Sequence, residues 1–146
     1  MFPHLILGSL ITPTGDEQAL PGSSAELVTV WLDPSSGTVG LIGEVDSSNS
    51  EKVGTALEAL VGQSEDLVLD LADLDFMDCS GLRMLVSLAS RVADTGGRLV
   101  VESPRRIVRR AMALTKIDEH PHMSIEESGA GLAGGFALRQ GIVQLI

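Results

Sequence analysis

The spacing of apolar positions changes along the chain and lays out its elements. Leu27 to Leu32 and Thr38 to Ile42 are rich in β-branched residues and flank Asp33-Pro34-Ser35-Ser36-Gly37. That segment has turn chemistry, so the pair predicts an antiparallel hairpin. Val53, Ala56, Leu57, Leu60 and Val61 then recur at helical spacing, behind a Ser48 and Glu51 pair placed as in a capping box. Leu67 to Leu71 is a short apolar strand. A second helical stripe follows in Leu82, Leu85, Val86, Ala89, Val92 and Ala93, and Gly96-Gly97 ends it before the strand Leu99 to Val101. Ser103-Pro104 predicts the cap and first residue of a third helix, with the apolar arc Ile107, Val108, Ala111, Met112 and Leu114. A last strand lies near Met123 to Ile125. The order β-β-α-β-α-β-α-β predicts a single α/β domain, a mixed and mostly parallel β-sheet covered by amphipathic helices.

The ends read differently. Residues 1–25 mix apolar pieces with Pro3, Pro13, Pro21 and the loop-like run PGSSA, which predicts an extension with room for one short extra strand. The run FPHLILGSLI lacks a positively charged start and is broken by Gly8, so it reads as a poor signal peptide. No apolar run approaches the ~20 residues of a transmembrane helix. The tail of residues 128–146 is glycine-rich and ends in apolar residues. A terminal strand or turn packed on the core is the preferred reading, ahead of an apolar surface for self-association. The domain is therefore expected to span residues 26–127, and no internal repeat is seen.

A chain of 146 residues that is 44% apolar can bury one compact core. Twenty acidic against ten basic residues, a net charge of −10, argue against direct binding of nucleic acid or anionic membranes and make a protein the default partner. A single cysteine excludes an internal disulfide framework and fits a reducing cytoplasm.

Chemistry concentrates in Asp78-Cys79-Ser80-Gly81-Leu82, where a strand meets the second helix. The Ser80 hydroxyl at a helix entrance serves either as a cap or as the carrier of a phosphate facing the positive end of the helix dipole. Asp78 two residues earlier, Asp46 at the end of another strand, and Gly81, which leaves the hydroxyl uncrowded, favour the second role. Cys79 adds a thiol that would be redox-active if exposed, although burial as a small apolar residue is the preferred reading. Met84 and Leu88 fall on the shoulder of the second helix, outside its core stripe, where they either outline a partner-facing patch with Arg83 and Ser87 or pack as peripheral core. Asp70, Asp73, Asp75 and Asp78 crowd together, but strand alternation scatters them over both faces and the loop, against a metal or phospho-aspartate site. A receiver-like domain is disfavoured further by the proline after Asp33 and by Lys116 as the only late lysine. Arg105, Arg106, Arg109 and Arg110 share an arc of the third helix, where positive charge at a helix N-terminus opposes the dipole and suits an acidic partner. His4, His120 and His122 lack metal-ligand spacing, and no base accompanies Ser80. An enzyme, a cofactor and a metal are not expected.

The stretch VLDLADLDFMDCSGLRMLVSLASRVADTGGRLVVESPRRIVRRAMALTKID, together with Leu41-Ile42-Gly43-Glu44-Val45-Asp46, resembles the STAS domain family, whose best-known members are bacterial anti-anti-sigma factors. The resemblance covers about Glu26 to Glu127. It implies an anti-sigma factor antagonist that binds an anti-sigma factor of the serine kinase type, is released by phosphorylation at Ser80, and is restored by a cognate serine phosphatase. ATP and magnesium would belong to the kinase. Cys79 stands where the family pattern often has serine, which leaves the acceptor position intact. A homodimer is compatible with this reading. The alternative is a constitutive STAS scaffold or accessory subunit, stressosome-like or lipid-transport-associated, in which Ser80 only caps a helix.

Overall fold

The computed structural model describes residues 28–127 and 143–146. β1 (Val28–Asp33) and β2 (Thr38–Val45) form the expected hairpin, with Val28 opposite Gly43 and Asp33 opposite Thr38. Asp33 closes the turn. Its carboxylate accepts from the backbone N–H and the hydroxyl of Ser35, at 3.0 and 2.7 Å, and its carbonyl accepts from the N–H of Gly37 at 2.7 Å. Gly37 takes φ +76°, a conformation that side chains with a Cβ disfavour.

Three crossovers follow. α1 (Ser50–Glu58) leads to β3 (Leu67–Met77), α2 (Cys79–Asp94) to β4 (Leu99–Glu102), and α3 (Arg106–Leu114) with a short 3-10 turn (Ile117–Glu119) to β5 (Met123–Glu126). A final strand, β6 (Val143–Gln144), pairs antiparallel with the outer edge of β1. The sheet order is β5-β4-β3-β2-β1-β6, parallel from β2 through β5. The described end of the tail is thus the expected terminal strand. Leu145 donates to the Val30 carbonyl at 2.6 Å, and Leu145 and Ile146 pack against the core.

Strand alternation directs Val28, Val30, Val39, Leu41, Leu69 and Leu71 into one buried cluster with Val53 and Leu57 of α1, Leu85, Ala89 and Val92 of α2, and Val108 and Met112 of α3. Trp31 lies outside that cluster, and its ring fills the space where a Cβ on Gly40 would come within 2.0 Å. β3 runs well past the expected Leu71. Shifts in its register against β2, between Gly40 and Ile42 and again between Gly43 and Glu44, carry it through the acidic segment, and Asp70 turns its carboxylate onto the N–H of Ala72 at 2.8 Å. Such irregularities re-aim side chains at strand ends.

Two helix starts differ from expectation. Ser48 does not cap α1, because its hydroxyl donates to Asp46 at 2.6 Å; the flanking residue is Asn49, which accepts from the Asp46 N–H and donates to the Glu44 carbonyl, both at 3.0 Å. α3 begins at Arg106, two residues past Pro104, since Ser103 adopts φ +50° and breaks the approach. The short helix meets the sheet along a narrow line. Val108 and Met112 are buried, whereas Ile107 and Leu114 of the expected apolar arc are 55% and 77% exposed. Among the described residues no helix is long and apolar enough to cross a membrane, and no cluster of three metal-ligating side chains occurs. His4 lies outside the described residues.

Candidate functional site

The site forms where β3 passes directly into α2. Asp78 remains extended (φ −94°, ψ −171°), and one oxygen of its carboxylate accepts from the backbone N–H of Ser80 at 2.9 Å, from that of Gly81 at 3.1 Å and from the Ser80 hydroxyl at 2.6 Å. The N–H of Asp78 in turn donates to the carbonyl of Val45 at 3.1 Å, tying this junction to the end of β2. Asp78 is therefore the residue that caps α2. Ser80 is not the cap: it lies inside the first turn, and of its two readings the one in which its hydroxyl accepts from an orphan N–H does not hold. The serine oxygen is instead a donor to a carboxylate, half-buried at the positive end of the helix.

Burial alone would push the Asp78 carboxyl up. Hydrogen bonds from the Ser80 hydroxyl and from the N–H groups of Gly81, Ser80 and Ser47 outweigh that cost and hold it below the ordinary aspartate value. The Ser47 donor comes from the loop after β2 that also carries Asp46. Asp46 accepts from the N–H and hydroxyl of Ser48, at 2.9 and 2.6 Å, so it shapes the neighbouring loop while Asp78 holds Ser80.

Gly81 also has a packing role. It is buried, and a Cβ there would come within 2.4 Å of Met77 Cγ and 3.0 Å of Val45 Cγ1. Its missing side chain lets the start of α2 settle on the strand ends, and this close approach places Ser80. Cys79, the first residue of α2, is exposed, against the expected burial, because the first turn presents Gly81 and Leu82 to the core and leaves Cys79 facing outward.

A groove of about 270 Å³ runs between α1 and α2 beside Ser80. Arg83 and Ser87 line it and are exposed. Met84 and Leu88 also line it, but at 9% and 1% exposure they belong to the core, which bears out the core-packing alternative and removes them from an open patch. The cause is α1, which lies over that shoulder closely enough that a Cβ on Gly54 would come within 3.1 Å of Met84 Cγ. A second cavity of about 220 Å³, missed by the sequence pattern, lies between Cys79, Leu82 and Arg83 on one side and Thr115 and Ile117 on the other. It depends on how the turn after α3 meets the start of α2, a long-range contact with no local signal.

The four aspartates go to separate places. Asp70 and Asp73 are buried, Asp75 pairs with Arg105, and Asp78 caps α2. Two of the clustered arginines are engaged within the fold: Arg105 with Asp75 and, at 2.7 Å, with the Ala72 carbonyl, and Arg109 with Glu127. What remains at the junction is one oriented hydroxyl at a helix start, opening beside a groove between two helices. This arrangement suits an oxygen that accepts a phosphoryl group and then presents it on a docking face.

The family model described as STAS domain matches residues 33–130. A protein of Bordetella bronchiseptica named as an anti-sigma factor antagonist, BtrV, is 33% identical over 76 residues, covering 51% of this chain and 66% of that protein, just under two thirds of its length. Among solved structures, an anti-sigma-factor antagonist (STAS) domain protein from Planctomyces limnophilus superposes with a TM-score of 0.55 at 15% identity, over 76% of this chain and 97% of that one. An anti-sigma factor antagonist from Mycobacterium paratuberculosis gives 0.50 at 23% identity, over 69% and 82%. The anti-sigma factor antagonist SpoIIAA, solved in its unphosphorylated form, gives 0.51 at 21% identity, over 73% and 90%.

Proposed function

Since the chain belongs to the STAS domain family, we propose that it is an anti-sigma factor antagonist whose binding to an anti-sigma factor is switched at Ser80. The partner in this reading is an anti-sigma factor that is also a serine kinase, and a cognate serine phosphatase resets the switch. The protein acts by binding and has no catalytic step of its own. The setting is a bacterial cytoplasm and a transcriptional stress response. The switching unit is residues 26–127, with residues 1–25 and 128–146 as extensions, the second of which returns to add β6 to the sheet. The observation that carries the proposal is the Ser80 hydroxyl held at 2.6 Å on Asp78, at the start of α2 beside the α1–α2 groove.

The physics of release follows from that geometry. Phosphorylation adds about −1.5 to −2 charge and replaces the proton that Ser80 donates to Asp78. Two like charges about 5 Å apart at an effective dielectric near 20 repel by about 3 kcal/mol per unit pair. The α2 dipole offsets part of this, so Asp78 and the phosphate compete for the same N–H groups. The bulk and hydration of the phosphate then oppose a partner that packs against Arg83 and Ser87. A net penalty of about 1.4 kcal/mol already weakens binding about tenfold.

In the scaffold alternative Ser80 is never modified, and its hydroxyl only supports Asp78, the residue that caps α2. The test is to incubate the full chain with its cognate kinase and ATP and to map phosphate by mass spectrometry. Incorporation at Ser80 that disappears in Ser80→Ala supports the proposal. Equal incorporation into wild type and Ser80→Ala would place the acceptor elsewhere.

A further inference from the structure

α3 carries a surface unrelated to the Ser80 groove. Its inward side is Val108 and Met112. Opposite them, Ile107, Arg110 and Leu114 follow one another at helical spacing, with Arg106 one turn before Arg110. Ile107 and Leu114 are, with Phe76, the large apolar side chains exposed among the described residues. Arg106 and Arg110 are exposed and, unlike Arg105 and Arg109, form no ion pair among the described residues. The first turn of α3 contains no acidic residue; Asp75 and Glu127 answer Arg105 and Arg109 from outside the helix, which leaves the charge of Arg106 and Arg110 facing outward. The face is an amphipathic, cationic stripe on a chain whose net charge is −10.

We propose that this face of α3 is a second docking surface, and that its occupant is an acidic protein segment with apolar anchors. The charge pattern selects that occupant. A second copy docking symmetrically through this face would bring the Arg106 and Arg110 pairs of the two copies together, like charge on like. An extended polyanion such as nucleic acid or an anionic membrane meets the whole field of a strongly acidic chain and makes no use of two arginines alone. A short acidic segment feels mainly the charges within about one Debye length, roughly 8–10 Å, where Arg106 and Arg110 lie. Its apolar side chains cover Ile107 and Leu114, while its carboxylates pair with Arg106 and Arg110.

The probe is a synthetic helical peptide of about 15 residues with leucines at i, i+3 and i+7 and glutamates elsewhere, labelled for fluorescence anisotropy against the full chain. Saturable binding is expected, weakening with salt, with NMR shift changes confined to residues 105–116. Arg106→Glu with Arg110→Glu should weaken it at least about tenfold. Ile107→Ser with Leu114→Ser, which leaves every charge in place, should do the same; both positions are exposed, so the fold is retained and unchanged circular dichroism confirms it. Binding that ignores the serine pair, or maps away from α3, would overturn the proposal. So would self-association abolished by Arg106→Glu, or equal affinity for vesicles containing 30% phosphatidylserine.

Discussion

Replacing Asp78 separates its two duties, capping α2 and holding Ser80. In Asp78→Ala the N–H groups of Ser80 and Gly81 lose their acceptor and the Ser80 hydroxyl loses its partner. Loss of an N-terminal cap costs about 0.5–2 kcal/mol, and the charged acceptor with three donors places this case near the upper end, about 2 kcal/mol. For a chain of this size that lowers Tm by roughly 6–8 °C. Asp78→Asn keeps an acceptor oxygen and should lose about half as much. Because hydrogen bonding lowers the folded-state pKa of Asp78, its ionised form contributes stability that is fully present above the ordinary aspartate pKa, near 3.9, and is lost as pH falls through the depressed folded value. The Tm gap between wild type and Asp78→Asn should therefore be constant from pH 7 to about 5 and close below about 4. Thermal unfolding by circular dichroism across this range is the assay. A gap that persists or widens at about pH 3 would refute the role of the charged carboxylate.

Other expectations follow from the packing. Gly81→Ala gains helix propensity but drives a methyl into Met77 and Val45, so a net loss of about 1–2 kcal/mol is expected in urea unfolding, whereas Gly54→Ala, facing only the flexible Met84 at 3.1 Å, should be neutral or stabilising. Cys79 is exposed, so a thiol reagent should label native and denatured protein to the same extent within minutes, and an adduct should weaken anti-sigma factor binding while Cys79→Ser binds normally. Protection of the native thiol would contradict its placement.

Local signals in the sequence carried far. The Asp33–Gly37 turn, the helix end at Gly96, where φ is +97°, and the strand at Leu99 all rest on neighbours a few residues apart. The cap of α2 was ambiguous for a physical reason: Asp78 and Ser80 are both good capping residues, and the bond from the Asp78 N–H to Val45, a contact between distant strands, decides which one enters the helix. Met84 and Leu88 looked peripheral on a helix considered alone, and only the passage of α1 over α2 buries them. The acidic run after Leu71 looked like a loop because its polarity hid a strand sustained by irregular pairing with β2. Conversely, Ile107 and Leu114 looked like core because periodicity reports a face without its width.

The most direct test of the switch is the affinity of the anti-sigma factor for the full chain before and after stoichiometric phosphorylation at Ser80, measured by titration calorimetry. Tight binding of the unmodified protein and a weakening of at least about tenfold on phosphorylation, with Ser80→Ala remaining tight after the same kinase treatment, are expected. Equal affinity of the two forms would contradict the account.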